Sequence, residues 1–370
     1  MKVLITGAKG FVGKNLVAEL RQNKGIEIYS YDIDTEETEL ARFTQDCDFV
    51  FHLAGVNRPK DPAEFLKGNF GFTSTLLDCL KKSGNTCPIL MTSSTQAELD
   101  NPYGISKKEG ENLLLNYGKE TGAKVYVYRL PNVFGKWCRP NYNSAVATFC
   151  HNISRDLPIT VTDPKIELTL VYIDDVIGEL KAALAGNANL EADGYCRVPV
   201  SHKATLGHIT DLLYKFRESR KTLSVPDMND AFEKKLYSTY LSALPTDDFS
   251  YNLKMNVDNR GSFTEIIRTV GQGQFSVNIS KPGITKGNHW HHTKNEKFLV
   301  VKGNGVIRFR DINGGEVIEY FVSDEKLEVV DIPPGYTHNI ENLGDSDMVT
   351  FMWANEPFDP ENPDTYFLEV

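Results

Sequence analysis

The periodicity of this chain changes once, near residue 240, and that change constrains its fold more than any other feature. Up to about residue 200, short apolar strands alternate with helical segments. Residues 2–6, 26–31, 48–53, 88–92 and 125–130 read as strands, and 11–22, 70–82 and 105–117 as helices. Such alternation builds a parallel sheet with helices on both faces. Beyond residue 240 the helical period disappears. Short strand-like runs at 263–268, 274–279, 296–302, 305–309, 317–321, 327–330 and 345–353 follow, separated by glycine and proline turns. They indicate an all-β sandwich or barrel. The polar, proline-containing stretch 244–251 is the expected linker, dividing a first domain, 1–243, from a second, 252–370.

Composition removes several alternatives. With 41% apolar and 24% charged residues the chain is neither disordered, collagenous nor a coiled coil. No run approaches the ~18 apolar residues of a membrane span. The start, Met1-Lys2-Val3-Leu4-Ile5-Thr6-Gly7, reads as a first strand and leaves no room for a signal peptide. A net charge of −10 with no basic run argues against nucleic acid and anionic lipid, while local basic patches for a phosphorylated substrate stay open. The six cysteines form no CxxC pair, so they are expected as reduced core residues of a cytoplasmic protein. Cys138, within 136–140, is a candidate for a substrate loop.

Gly7-Ala8-Lys9-Gly10-Phe11-Val12-Gly13 follows the first strand and opens a helix. Glycines at this spacing give a tight turn and close backbone approach to a pyrophosphate, and the helix N-terminus offers free N–H groups. Asp32, at the end of the second strand, is placed to bind adenosine ribose hydroxyls and taken alone favours NAD. Its alternative is a solvated loop acid, since Asp34, Glu36 and Glu37 crowd the same segment. Tyr103 and Lys107 lie four apart, on one helix face. An ammonium near the phenol is expected to lower its pKa and suit it to acid/base work. Upstream, Thr92-Ser93-Ser94-Thr95 ends an apolar strand and offers a hydroxyl for a carbonyl oxygen.

On these motifs the first part resembles an extended short-chain dehydrogenase/reductase (SDR) of the nucleotide-sugar-modifying branch, a Rossmann-type α/β fold. His52-Leu53-Ala54-Gly55, Arg129-Leu130-Pro131-Asn132-Val133-Phe134-Gly135 and Val171-Tyr172-Ile173-Asp174-Asp175-Val176 match further segments of that family. The resemblance implies Ser94, Tyr103 and Lys107 as catalytic. It implies Gly7, Gly10, Phe11, Val12, Gly13, Asp32, Leu53, Ala54, Gly55, Tyr103, Lys107 and Pro131 at the cofactor. The gap from Ser94 to Tyr103 is short for the family, so the acting hydroxyl among Ser93, Ser94 and Thr95 stays open.

Four histidines, His52, His151, His202 and His208, are scattered through the first part. The other four gather in the second. His289 and His291 alternate along a strand-like run and are expected on one face, Glu296 starts the next run, and His338 follows the turn Pro333-Pro334-Gly335-Tyr336. Three imidazoles and a carboxylate suit a divalent cation such as zinc and leave positions open. Gly283-(x5)-His289-x-His291-(x4)-Glu296-(x6)-Gly303 fits the first cupin motif. Pro333-x-Gly335-(x2)-His338-(x3)-Asn342 fits the core of the second, with Leu327 in place of its first glycine. The second part thus resembles a cupin, a jelly-roll barrel, with a metal-free cupin as the alternative. His292 faces away if its neighbours face in.

Together the halves resemble a bifunctional nucleotide-sugar enzyme family of bacterial capsule biosynthesis. The resemblance implies a UDP-linked 2-acetamido-2,6-dideoxy-hexos-4-ulose, epimerised at C3 in the cupin half. The SDR half then reduces C4 with NADPH, with NADH the alternative, giving the 6-deoxy-L-talosamine-type sugar on the route to UDP-N-acetyl-L-fucosamine. His292, Tyr336 and Lys302 are candidates for the epimerisation base, and a homodimer is expected by resemblance. Chemistry sets the order, because the C3 hydrogen is acidic only while C4 is a ketone. The competing readings are a reductase with a structural, dimerising cupin, and a redox-neutral epimerase or dehydratase.

Overall fold

A computed structural model describes all residues except 60, 62, 270 and 272, and the side chain of residue 63. The chain divides into two compact units, residues 1–214 with 235–245, and residues 215–234 with 246–370.

The first unit is built on five parallel strands, β1 (Lys2–Thr6), β2 (Glu27–Tyr31), β3 (Phe49–His52), β4 (Ile89–Ser94) and β5 (Val125–Leu130), in the order β2-β1-β3-β4-β5. β1, β3 and the first half of β4 are buried on both faces and read as apolar runs, while the edge strand β2 leaves Glu27 and Ser30 exposed. Val3 and Ile5 pack with helices Phe11–Leu20 and Ile173–Leu184 through Leu16, Val17, Val176 and Leu180. Leu4, one residue out of phase, packs with helices Glu37–Asp46, Phe72–Ser83 and Pro102–Thr121 through Leu40, Leu76, Leu80 and Leu114. The strand order reverses between β1 and β3. In doubly wound sheets the ligand crevice opens there, outside the carboxyl ends of the strands. A small sheet of β6 (Asn132–Phe134), β7 (Glu167–Tyr172) and β8 (His202–Thr205) flanks the chain after β5.

The second unit opens with β9 (Ser224–Val225), which pairs in parallel with β11 (Gly261–Thr269), so residues 215–234 group with this unit. The remaining strands are β10 (Met255–Asp258), β12 (Gly273–Ser280), β13 (Thr285–Trp290), β14 (Glu296–Lys302), β15 (Asn304–Asp311), β16 (Ile318–Ser323), β17 (Val329–Ile332), β18 (Tyr336–Asn342), β19 (Met348–Ala354) and β20 (Tyr366–Phe367). They form two antiparallel sheets, β10-β11-β12-β19-β14-β17 and β16-β15-β18-β13-β20. Phe298, Val300 and Ile332 from the first sheet meet Ile307, Phe309 and Ile340 from the second in one apolar core. This is the cupin-type double sheet, following an α/β Rossmann-type unit.

Candidate active site and candidate metal centre

A cavity of about 1380 Å³ opens in the first unit at the switch point between β1 and β3. Gly7, Gly10, Phe11, Val12 and Gly13 line it on one side, Leu53, Gly55 and Pro131 on another, and Ser94, Tyr103 and Lys107 reach into it. Gly7 has φ of +69°, and a Cβ there would stand 2.7 Å from the Ala54 backbone nitrogen. A Cβ on Gly13 would stand 2.1 Å from the Gly7 carbonyl oxygen, so the helix start can lie against the turn only without one. Ala54 packs its backbone against Gly7 and does not itself line the cavity. Asp32 does not line it either. Its Oδ2 accepts the Lys9 N–H at 2.7 Å, which ties the end of β2 to the glycine turn.

Asn101 caps the helix Pro102–Thr121 by accepting the Gly104 N–H at 2.8 Å, with Pro102 in its first turn. The cap places Tyr103, Lys107 and Glu111 on one face, each one turn apart. The three hydroxyls before them then separate. Ser93 donates to buried Glu111 at 2.6 Å, and Arg129 holds the same carboxylate through two bonds of 3.0 and 2.7 Å. Ser94, on the alternate face, accepts the Gln96 N–H at 3.1 Å and lines the cavity with Tyr103, whose pKa it lowers. Thr95 also borders the cavity.

The expected effect of Lys107 on Tyr103 is not present in this state. Burial raises the Tyr103 pKa, and the Ser94 bond only partly opposes it. Lys107 lies 5.9 Å from the Tyr103 ring centroid and donates to the Thr92 carbonyl at 3.4 Å. Its own pKa is pushed down to about 8 by burial, with Glu111 pulling the other way. Sequence reasoning missed Asn69. This buried residue accepts the Val56 N–H at 2.9 Å and donates to Ser106 at 2.9 Å, bracing the loop after β3 against the helix that carries Tyr103 and Lys107. It sits in a π-helical turn, Leu66–Gly71, that carries no local sequence signal.

In the second unit His289, His291, Glu296 and His338 offer ligand atoms that all lie within 4.8 Å of one another. His289 lies near the end of β13 and His338 in β18, while Glu296 comes from β14 in the facing sheet. Simple alternation does not place His291. The register of β13 shifts between Gly287 and His289, Asn288 has φ of +60°, and the strand ends at Trp290. His291, just beyond, still turns its ring to 5.0 Å from that of His289. His291 Nε2 and His338 Nε2 each lie 3.4 Å from Glu296 Oε2. These three atoms are buried and without a hydrogen-bond partner. Orphaned donors and acceptors converging on one point are costly unless an ion joins them, so the set fits a divalent metal. Burial lowers the His289 pKa to about 4, with His338 reinforcing it, which keeps that imidazole neutral and able to ligate. Burial pushes the Glu296 carboxyl up, but His291 and His338 outweigh it and hold it well below the usual range.

His292 faces away from the cluster, exposed, with its ring 4.5 Å from Trp290 and 5.1 Å from Tyr366. Lys302 is exposed at the far end of β14, and Tyr336 packs on the apolar core. The basic side chain found at the cluster is Lys294, with Nζ 3.9 Å from Glu296 Oε1 and 13% exposure.

Two units of this kind, one with a dinucleotide crevice and a Ser-Tyr-Lys set and one with a His/Glu cluster between β sheets, define a class. The chain belongs to the NAD dependent epimerase/dehydratase family, which residues 3–194 match, and residues 256–366 match the polysaccharide biosynthesis C-terminal domain. Along its whole length it is similar to CapF from Staphylococcus aureus, a capsular polysaccharide assembling protein. The two share 59% identity and a TM-score of 0.95 over 100% of both chains. It is also 48% identical, over 100% of this chain and 99% of the other, to the UDP-2-acetamido-2,6-beta-L-arabino-hexul-4-ose reductase of Pseudomonas aeruginosa. The UDP-glucuronic acid 4-epimerase of Bacillus cereus, 21% identical with a TM-score of 0.56 over 66% of this chain and 98% of its own, shares the fold of the first unit.

Proposed function

We propose that the chain is a bifunctional UDP-sugar enzyme of capsule biosynthesis. Its cupin unit epimerises C3 of a UDP-2-acetamido-2,6-dideoxy-hexos-4-ulose. Its SDR unit reduces the C4 ketone with NADPH, giving the 6-deoxy-L-talosamine-type sugar that precedes UDP-N-acetyl-L-fucosamine. The observation that carries this reading is that one chain holds both a Ser94–Tyr103–Lys107 set in a dinucleotide crevice and a buried His/Glu cluster with orphaned ligand atoms. The reductase activity for which the Pseudomonas relative is named supports the reductive half.

At the reductive site a bound nicotinamide dinucleotide supplies the hydride. The glycine turn and the helix N-terminus behind it hold the pyrophosphate. Ser94 holds the C4 oxygen and Tyr103 donates its proton to it, while Lys107 binds the cofactor ribose. A Lys107 ammonium brought nearer the phenol would lower the Tyr103 pKa. The NADPH preference is drawn from family resemblance, with NADH the alternative. Asp32 taken alone speaks for NADH, while the basic residues Lys9 and Arg58, which line the cavity, speak for NADPH.

At the second site His289, His291, Glu296 and His338 would hold a divalent metal, zinc by the donor set, which supplies Lewis acidity toward the ketone oxygen. Lys294 adds a positive charge beside the cluster, where negative charge develops once C3 loses its proton. Epimerisation precedes reduction, since reduction removes the acidifying ketone. We place the protein in the cytoplasm, where nucleotide sugars are made and where six free thiols persist. No described helix is long and apolar enough to cross a membrane. A homodimer is expected from the cupin resemblance. The test is stoichiometric. In deuterated water each NADPH oxidised should yield one product sugar carrying solvent deuterium at C3. Product without deuterium at C3 favours the single-activity reductase, and turnover without NADPH consumption favours a redox-neutral enzyme.

A further inference from the structure

The last segment of the chain closes over the His/Glu cluster at one residue. His291 Nδ1 donates to the Asp364 backbone carbonyl at 2.5 Å, across 73 positions of sequence. A proton on Nδ1 leaves Nε2 as the free lone pair, and Nε2 is the buried atom that faces Glu296. The Asp364 carboxylate does something else. Its Oδ1 accepts the His292 N–H at 2.9 Å, and its Oδ2 accepts the N–H groups of Thr293 and Lys294 at 2.8 and 2.9 Å and the Thr293 hydroxyl at 3.1 Å. Those residues make the turn that joins His291 to Glu296. β20 then pairs with β13 at His289–Phe367 and Trp290–Tyr366, so the tail is anchored beside the ligand strand.

We propose that Asp364 is a positioning residue of the metal centre, its carbonyl selecting the His291 tautomer and its carboxylate fixing the turn that sets His291 against Glu296. The side chain holds the turn, and holding the turn keeps the carbonyl in reach of His291. Metal ligands depend on such outer partners for orientation and basicity, and losing one typically costs 10–100-fold in affinity. The proposal rests on the metal-centre reading above.

The experiment measures zinc affinity of the full chain by competition with a chromophoric chelator, with cobalt absorption as a second readout of ligand geometry. Asp364→Ala should bind zinc 10–100-fold more weakly than the wild type and shift the cobalt bands. Asp364→Asn, which keeps one acceptor oxygen, should fall between the two, and it carries the test if the alanine variant does not fold. NADPH binding by the first unit should not change in either variant. Wild-type zinc affinity and cobalt bands in a folded variant of lowered melting temperature would overturn the proposal and leave Asp364 a structural tie alone. A wild-type chain that binds neither zinc nor cobalt would overturn the metal-centre reading itself, and the proposal with it.

Discussion

Ser93 donates its hydroxyl to Glu111 at 2.6 Å, so the pair of adjacent serines at the end of β4 is divided between two tasks. Ser93 adds a hydrogen bond to the buried Glu111–Arg129 ion pair, and Ser94 faces Tyr103. Ser94→Ala should therefore lower kcat for NADPH oxidation by about 10²–10³, the usual loss for a donor to a developing oxyanion. Ser93→Ala should leave kcat within a few-fold and destabilise the fold by about 1–3 kcal/mol, because a buried carboxylate loses a donor. Steady-state rates and melting curves for the two variants separate the roles.

Lys107 sets a pH dependence whose sign follows from its burial. Its pKa in the folded chain is about 8, below the ordinary lysine range. With the proposed role of the Lys107 ammonium at the cofactor ribose, kcat/KM for reduction should fall as pH rises through about 8. Stability should move the other way. Above about pH 8 the folded state has released a proton that the unfolded chain keeps up to the ordinary lysine range, so stability rises with pH across that interval. Lys107→Met should stabilise the cofactor-free chain near neutral pH, by on the order of 3 kcal/mol, while abolishing reduction. Calorimetry of the variant checks the first statement and turnover the second.

Removing metal should act on the second unit. His291 Nε2, His338 Nε2 and Glu296 Oε2 have no other partner, so chelation leaves buried polar atoms unsatisfied. A strong chelator should lower the melting temperature of that unit, with a loss of stability of about 4 kcal/mol when the metal had been present at a thousand times its dissociation constant. NADPH binding to the first unit should persist. Differential scanning calorimetry with and without chelator reads both.

The parts of this protein legible in the sequence are those governed by local pattern. The five parallel strands fall where strands were expected, most plainly β1 and β3, whose burial on both faces makes them apolar runs. The glycine turn and the His/Glu spacing were equally visible. What escaped depends on distant partners. Choosing between Ser93 and Ser94 requires knowing that Glu111 lies two turns into the next helix. His291 is delivered by a bulge at Asn288, not by strand alternation. His338 lies in β18, which was expected only as the residues after a proline turn. Asp364 meets His291 from 73 positions away, and no local motif announces such a pair.

The measurement that bears most directly on two chemistries in one chain uses full-length Tyr103→Phe. The variant is incubated with the UDP-linked 4-keto sugar and NADPH in deuterated water, with and without chelator, and C3 is followed by NMR. NADPH oxidation should cease while deuterium still enters C3, and chelator should stop the entry. Loss of both activities in the variant, or deuterium entry that chelator leaves untouched, would contradict separate reductive and metal-dependent sites.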